Sequence, residues 1–106
     1  MNELDLEEIK RWTTEILVRN GLRESDSHWV AETLVFAETR GVSTHGLMRL
    51  PVYVERICHG GINRKAEFGV DADLGALVIV NADDGPGAAI GVYGADLAAE
   101  RAQRHG

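Results

Sequence analysis

The sequence predicts an α+β fold in which three amino-terminal helices are followed by a strand, a second strand and a fourth helix. Apolar residues recur at helical spacing in the first half of the chain, as in Leu6, Ile9 and Trp12. Residues 76–81 instead form a continuous apolar run rich in β-branched side chains, which is typical of a strand. Because the helices precede the strands rather than alternate with them, the order favours α+β over α/β.

The first two helices are bounded by capping residues and glycines. Asp5 and Glu8 have the spacing of a capping box, and Asn20-Gly21 ends the first helix. The second helix runs from about residue 24 to residue 40 and ends at Gly41. The residues predicted to be buried are Leu6, Ile9, Trp12, Ile16 and Leu17 in the first helix, and Trp29, Val30, Leu34 and Ala37 in the second.

The third helix contains a proline that constrains where it can begin. Apolar spacing predicts a helix that buries Leu47, Leu50, Val54 and Ile57. Pro51 cannot lie deep inside that helix, because it lacks the amide needed for the helical hydrogen bond. We therefore expect a single turn, then a kink or restart near Pro51, and an end at Gly60-Gly61.

The last third of the chain predicts the sheet and the fourth helix. Residues 66–72 are a weak strand candidate, residues 73–75 a turn, and residues 76–81 a strand covered on both faces. The fourth helix starts with Pro86 in its first turn and ends at residues 105–106. Its predicted buried side consists of Ala89, Ile90, Tyr93, Leu97 and Ala98.

Composition narrows the function classes. The chain is 44% hydrophobic and 26% charged, as expected of a folded globular domain. Its net charge of −6 disfavours a nucleic-acid partner, and no apolar run reaches the roughly 18 residues of a membrane span. Cys58 is the single cysteine, so an internal disulfide is excluded and a cytoplasmic location is predicted. Cys58-His59 lacks further ligands at zinc-like spacing, which favours a buried thiol over a metal site.

Three glycines around the fourth helix partly match a dinucleotide-binding fingerprint. Gly85, Gly87 and Gly91 follow a strand and open a helix, but the last glycine lies one position too late. A tight strand-to-helix turn is the simpler interpretation, with Asp83 and Asp84 as capping acids. A third possibility is that the amides at this helix start face an anion in a larger protein.

The segment from Ser43 to Arg49 carries residue types suited to acid–base chemistry on a carboxylic acid. His45 can exchange a proton near neutral pH, and Arg49 offers a planar set of donors that matches a carboxylate. If the segment is helical, the two side chains lie on one face, four residues apart. The alternative is structural: Thr44 caps a helix, His45 is a polar residue of the first turn, and Arg49 pairs with a surface acid.

A wider set of residues around this segment resembles the amino-terminal region of the type 2 malate/L-lactate dehydrogenase family. The resemblance rests on residues 37–51, then 53–56 and 60–63, and on the acidic, glycine-containing stretch 83–87. Thr44 stands where the family often has serine, and Pro86 where it often has an apolar residue such as leucine. The family is separate from the Rossmann-type lactate dehydrogenases and includes malate, lactate, ureidoglycolate, sulfolactate and cyclic-imine reductases.

The resemblance implies a function and a division of the chain. His45 would be catalytic, and Ser43, Thr44 and Arg49 would bind a small 2-hydroxy or 2-oxo acid. The cofactor would be NAD or NADP with most of its contacts outside this chain, and the protein would form a homodimer. Family members are roughly three times as long and have two domains. Residues 1–63 would thus be a helical segment carrying the His45/Arg49 motif, and residues 64–106 the truncated start of a sheet-containing domain.

A function of a different class remains open at this point. The apolar faces of the helices could serve a non-catalytic interaction or oligomerisation domain, since an unfinished sheet exposes apolar surface and strand edges. By the same resemblance, the chain is predicted to be inactive by itself, because most of the cofactor contacts would lie outside it.

Overall fold

The computed structural model describes residues 5–106, so the first four residues of the predicted segment 1–63 lie outside it. Four helices, two short 3-10 turns and two strands make up the described chain. The helices are α1 (Leu6–Arg19), α2 (Glu24–Thr39), α3 (Leu50–Cys58) and α4 (Gly87–His105). The 3-10 turns are Ser43–His45 and Leu47–Arg49, and the strands are β1 (Gly69–Asp73) and β2 (Val78–Asn81). This confirms the predicted α+β order.

Helix ends follow the local signals in the sequence. Asp5 caps α1: its Oδ1 accepts hydrogen bonds from the backbone amides of Glu7, at 3.0 Å, and Glu8, at 3.4 Å. At the other end, the Gly21 amide donates to the Val18 carbonyl, and the Leu22 amide donates to the Leu17 carbonyl. These two bonds form a Schellman motif, which needs the left-handed backbone that glycine adopts easily. The same arrangement ends α2 at Gly41 and α3 at Gly60.

Pro51 sets the start of α3 as predicted. The chain makes a 3-10 turn over Leu47–Arg49 and continues into an α-helix at Leu50, so that Pro51 is its second residue. At that position the missing amide would have no partner within the helix in any case. The predicted restart is therefore confirmed.

One small apolar cluster holds the helices together. Leu17 from α1, Leu22 from the following turn, Val30 and Leu34 from α2, and Ile57 from α3 are almost completely buried. Ala88, in the first turn of α4, packs against this cluster, and α2 contacts both α1 and α4. Because α2 contacts most of the other elements, its position sets where the others lie.

The predicted buried face of α1 is mostly wrong. Leu17 is fully buried, but Leu6, Trp12 and Ile16 are 46%, 50% and 42% exposed. Helix α1 packs on α2 through its Thr13 and Leu17 side, so the other part of its broad apolar stripe faces away from the described residues. Trp29 of α2 is also exposed, although Val30 and Leu34 are buried as predicted.

The strands form a two-stranded antiparallel hairpin. Val70 pairs with Val80 and Ala72 with Ile79, with an irregularity in the register at the intervening Asp71. The prediction that the second strand is covered on both faces is wrong here, since Ile79 is 51% exposed. Helix α4 lies against one side of the hairpin and leaves the other side open within the described residues.

An ion pair fastens the hairpin to α4. The Arg101 guanidinium donates to both carboxylate oxygens of Asp73, at 2.6 and 2.8 Å, and to the Gly75 carbonyl at 3.1 Å. These contacts hold the pKa of the Asp73 carboxyl well below its usual range. Because the charged carboxylate is favoured in the fold, this fastening persists at neutral pH and is lost only in strong acid.

The link between β2 and α4 is the predicted tight turn. Asp83 and Asp84 both have left-handed backbone angles, with φ of 52° and 55°. A Cβ at Gly85 would lie 2.6 Å from the Cβ of Ala66, so a larger residue does not fit. Pro86 immediately precedes α4 rather than lying in its first turn. Within residues 5–106 no strand follows α4, so the described chain holds no complete strand–helix–strand unit at this turn.

No helix within residues 5–106 is both long enough and apolar enough to cross a membrane.

A buried carboxylate in α2 generates a stability prediction. Asp26 is 5% exposed, and its Oδ2 has no hydrogen-bond partner among the described residues; the Arg23 Nη1 is 3.9 Å away. Burial raises the pKa of the Asp26 carboxyl, and Arg23 opposes that rise. The charged form therefore weakens the fold at neutral pH, and the penalty disappears as pH falls through the raised pKa.

We expect Asp26→Asn to raise the thermal midpoint at about pH 7, with a gain on the order of 1 kcal/mol. The gain should shrink as the pH falls through the raised pKa of the parent carboxyl, because the penalty for its charged form is lost there. Circular dichroism melts from neutral pH down through this transition measure both effects, with the exposed Asp71→Asn as the matched control. A midpoint lowered equally at every pH would contradict this account of Asp26.

Candidate functional site

The predicted site residues follow the end of α2, where the chain reverses. The Gly41 amide donates to the Glu38 carbonyl at 3.1 Å, and the Val42 amide donates to the Ala37 carbonyl at 2.9 Å. Gly41 has φ of 76°, the left-handed conformation that this Schellman motif needs. Residues 43–49 form the His45/Arg49 loop. The reversal brings this loop back against α2, and both 3-10 turns of the loop contact that helix.

The loop is not one continuous helix, so that part of the sequence interpretation is wrong. The His45 amide donates to the Val42 carbonyl and the Gly46 amide to the Ser43 carbonyl, each at 3.0 Å, which closes the first 3-10 turn. Gly46 then adopts an extended backbone with ψ of −146° before the second turn begins. His45 and Arg49 therefore lie in two successive turns and not one above the other on a helix face.

His45 is exposed at the end of the first turn. Its Nδ1 is 3.1 Å from the hydroxyl oxygen of Thr44, and the direction of this hydrogen bond depends on the imidazole tautomer. If the hydroxyl donates, Nε2 carries the proton; if Nδ1 donates, Nε2 is the free acceptor. In either case Thr44 orients the ring, and Nε2 is the nitrogen suited to exchange a proton with a bound molecule. Thr44 therefore does not serve as the helix cap of the structural interpretation.

Arg49 is half-buried and lies next to an aromatic ring. Its guanidinium carbon is 5.9 Å from the centre of the Tyr53 ring, which is one turn further along in α3. Among residues 5–106, no carboxylate oxygen lies within 4.0 Å of the guanidinium, so the predicted surface ion pair does not form there. The fork of donors is thus suited to a carboxylate supplied by a ligand.

The sequence interpretation missed Glu38 as part of this loop. Its Oε1 accepts the backbone amide of Leu47 at 2.9 Å, across nine residues of chain. A Cβ at Gly46 would lie 2.7 Å from the Glu38 Cδ, so glycine at this position is what lets the carboxylate approach. No periodic pattern marks this contact, because the chain reverses between the two residues.

A groove adjoins the loop at Tyr53. It has a volume of about 530 Å³, and Tyr53 and Arg56 line one side while residues 85–88, at the start of α4, line the other. Most of its surface is apolar side chains of the core cluster. Anion binding at the start of α4 remains a prediction.

Three weaker sequence candidates can be placed. His28 is exposed as predicted, with its ring 4.9 Å from that of Trp29. Cys58 is exposed rather than buried, which corrects the prediction of a buried thiol; α3 turns it outward, where its sulfur is 3.6 Å from the Asn20 side-chain oxygen. Within the described residues, no cluster of three or more His, Cys, Asp or Glu side chains could hold a metal ion.

Known proteins resemble the chain over nearly its whole length. Residues 4–106 match the family model described as malate/L-lactate dehydrogenase. The ureidoglycolate dehydrogenase (NAD(+)) of Escherichia coli K12 is 36% identical over an alignment 103 residues long, which covers 92% of this chain and 30% of that protein. The malate dehydrogenase of Pyrococcus abyssi is 31% identical over 94% of this chain and 28% of that protein.

A solved structure agrees with the sequence relatives. The malate dehydrogenase of Pyrococcus horikoshii OT3 superposes with a TM-score of 0.93 and 30% identity, over 99% of this chain and 30% of that one. The chain therefore spans about 30% of the length of the proteins that it matches.

The contact between Gly46 and Glu38 generates a prediction. In Gly46→Ala, the new methyl group should push the flexible Glu38 carboxylate away and break its bond to the Leu47 amide. We expect the free energy of unfolding to fall by about 1–3 kcal/mol, as for a lost charged hydrogen bond. Chemical denaturation measures this change.

Gly91→Ala is the matched control, because a Cβ there meets no atom within 4 Å. In that α4 position alanine should be neutral or stabilising by up to about 1 kcal/mol. Equal stability changes in the two variants would show that the Gly46–Glu38 contact has no special role.

Proposed function

The chain belongs to the malate/L-lactate dehydrogenase family, and we propose that it is the amino-terminal part of an NAD(P)-dependent oxidoreductase that interconverts a small 2-hydroxy acid and its 2-oxo acid. The observation that carries this proposal is the His45/Arg49 loop. It places an exposed imidazole one short turn before a guanidinium that has no acidic partner among the described residues. The named activities of the relatives, on ureidoglycolate and malate, agree with this substrate class.

The proposed roles follow from the chemistry of each side chain. Arg49 holds the substrate carboxylate through paired hydrogen bonds, and the Tyr53 ring beneath it limits how far the guanidinium can turn. His45 takes the hydroxyl proton when the 2-hydroxy acid is oxidised and returns a proton to the 2-oxygen in the reverse direction. The nicotinamide, when bound, would accept the hydride from C2 and supply it in the reverse direction. Thr44 orients the imidazole through Nδ1, and Ser43 shapes the same pocket.

The glycine turn before α4 gives only weak support for a dinucleotide site. The space that a Cβ at Gly85 would need is occupied by Ala66 and Phe68, so close packing within the chain is enough to explain this glycine. We propose that NAD or NADP is held mainly by residues outside this chain. It follows that the 106 residues alone should neither turn over substrate nor bind the cofactor tightly.

We further propose a homodimer in the cytoplasm, with the chain divided near residue 63 into a helical segment and the start of a sheet-containing domain. Exposed apolar side chains support association, since Trp12, Phe36 and Leu77 are each at least half exposed.

The same observation favours the second candidate function, a non-catalytic interaction or oligomerisation domain. The two candidates differ in whether His45 matters for turnover.

A chimeric enzyme tests the catalytic proposal. The region of the Escherichia coli ureidoglycolate dehydrogenase that aligns with this chain is replaced by it. Formation of reduced nicotinamide is then followed with ureidoglycolate, malate and lactate. We expect turnover, a loss of about 100-fold or more in kcat for His45→Ala, and a raised KM for Arg49→Ala that Arg49→Lys only partly restores.

His28→Ala is the matched control, because His28 is exposed on α2, and it should leave kcat within about twofold. Two outcomes would contradict the proposal: a folded chimera without activity, or a His45→Ala variant that keeps the parent rate. The second outcome would favour the interaction domain.

A further inference from the structure

We propose that Glu38 is a positioning residue that sets the geometry of the His45/Arg49 loop; this inference rests on the proposed function. Glu38 lies in the last turn of α2 and is half-buried. Its backbone carbonyl accepts the Gly41 amide at the chain reversal, and its side chain accepts the Leu47 amide at 2.9 Å. One residue thus holds both the start of the reversal and the far side of the loop.

The contact gives a hydrogen-bond acceptor to the first amide of the second 3-10 turn. Leu47 is the first residue of that turn, where a backbone amide has no partner within the turn itself. A carboxylate is a strong acceptor for such an amide, because the hydrogen bond is charge-assisted. Gly46 is buried and lacks the Cβ that would otherwise collide with the Glu38 side chain.

Glu38 is not engaged as an ordinary surface ion pair. Among residues 5–106, no Lys or Arg nitrogen lies within 4.0 Å of its carboxylate. The nearby Arg40 instead has its guanidinium 4.9 Å from the centre of the Phe36 ring. The described role of the Glu38 carboxylate is therefore the contact with the loop backbone.

The position of Leu47 explains how this contact would affect the reaction. Leu47 is two residues from His45 and two residues from Arg49, so fixing its amide fixes the backbone from which both side chains extend. Displacements of about 1 Å in a catalytic arrangement can lower a rate by about 100-fold. Glu38 thus acts through His45 and Arg49 without touching the substrate.

Nuclear magnetic resonance on the 106-residue chain tests the contact without any assay of activity. Glu38→Gln and Glu38→Ala should each shift the Leu47 amide resonance at constant pH, because both remove the charged acceptor of its hydrogen bond. Glu38→Ala should speed Leu47 amide exchange by about tenfold, as for a lost charge-assisted bond. Glu32→Gln is the matched control on the same helix, because Glu32 pairs with Lys10 and should leave the Leu47 response unchanged. A Leu47 resonance and exchange rate that Glu38→Ala leaves unchanged would overturn the inference.

Kinetics of the chimeric enzyme test the positioning role itself. Glu38→Ala should lower kcat by about 10- to 100-fold, and Glu38→Gln, which keeps an acceptor oxygen, should restore most of the loss. Glu32→Ala should leave kcat within about twofold. If Glu38→Ala keeps the parent kcat while His45→Ala loses it, the positioning role fails and the proposed function stands. If His45→Ala itself keeps the parent rate, both the catalytic role of His45 and the positioning role of Glu38 fail. The Leu47 measurement then still tests the Glu38–Leu47 contact, because it does not depend on activity.

Discussion

The burial of α2 is the constraint on which the rest of the structure depends. Val30 and Leu34 of this helix meet Leu17, Leu22 and Ile57 in the one cluster that orders α1, α3 and the start of α4. Burial of these apolar side chains is a main favourable contribution that opposes the entropy cost of ordering these elements. Other large apolar side chains, including Trp12, Phe36 and Leu77, are exposed.

The position of the His45/Arg49 loop is a consequence of how α2 ends. A glycine at position 41 permits the Schellman motif, which turns the chain back toward the helix that it has just left. Glu38 can then reach the Leu47 amide, and Gly46 gives it the space to do so. The imidazole and the guanidinium extend from a backbone held at both ends, so the loop is ordered by the same helix that orders the core.

The features that the sequence predicted correctly are those that depend on residues close together along the chain. The glycine helix ends and the restart near Pro51 follow from local backbone chemistry, and the structure confirms both. The failures are non-local. Trp12 and Ile79 have the pattern of buried residues, but nothing in a pattern specifies whether a covering layer is present. The Glu38–Leu47 contact joins residues that are nine positions apart, on either side of a chain reversal. It forms because the segment from His45 to Arg49 is a loop of two 3-10 turns and not the helix that the spacing suggested.

We propose that this loop receives the carboxylate and 2-oxygen of a small acid. The decisive experiment is a crystal structure of the chimeric enzyme with oxamate, an unreactive mimic of a 2-oxo acid. The Arg49 guanidinium should bond to the oxamate carboxylate and a His45 ring nitrogen to its 2-oxygen, each at about 2.7–3.2 Å. Oxamate bound at another place, with neither side chain in contact with it, would rule this role out.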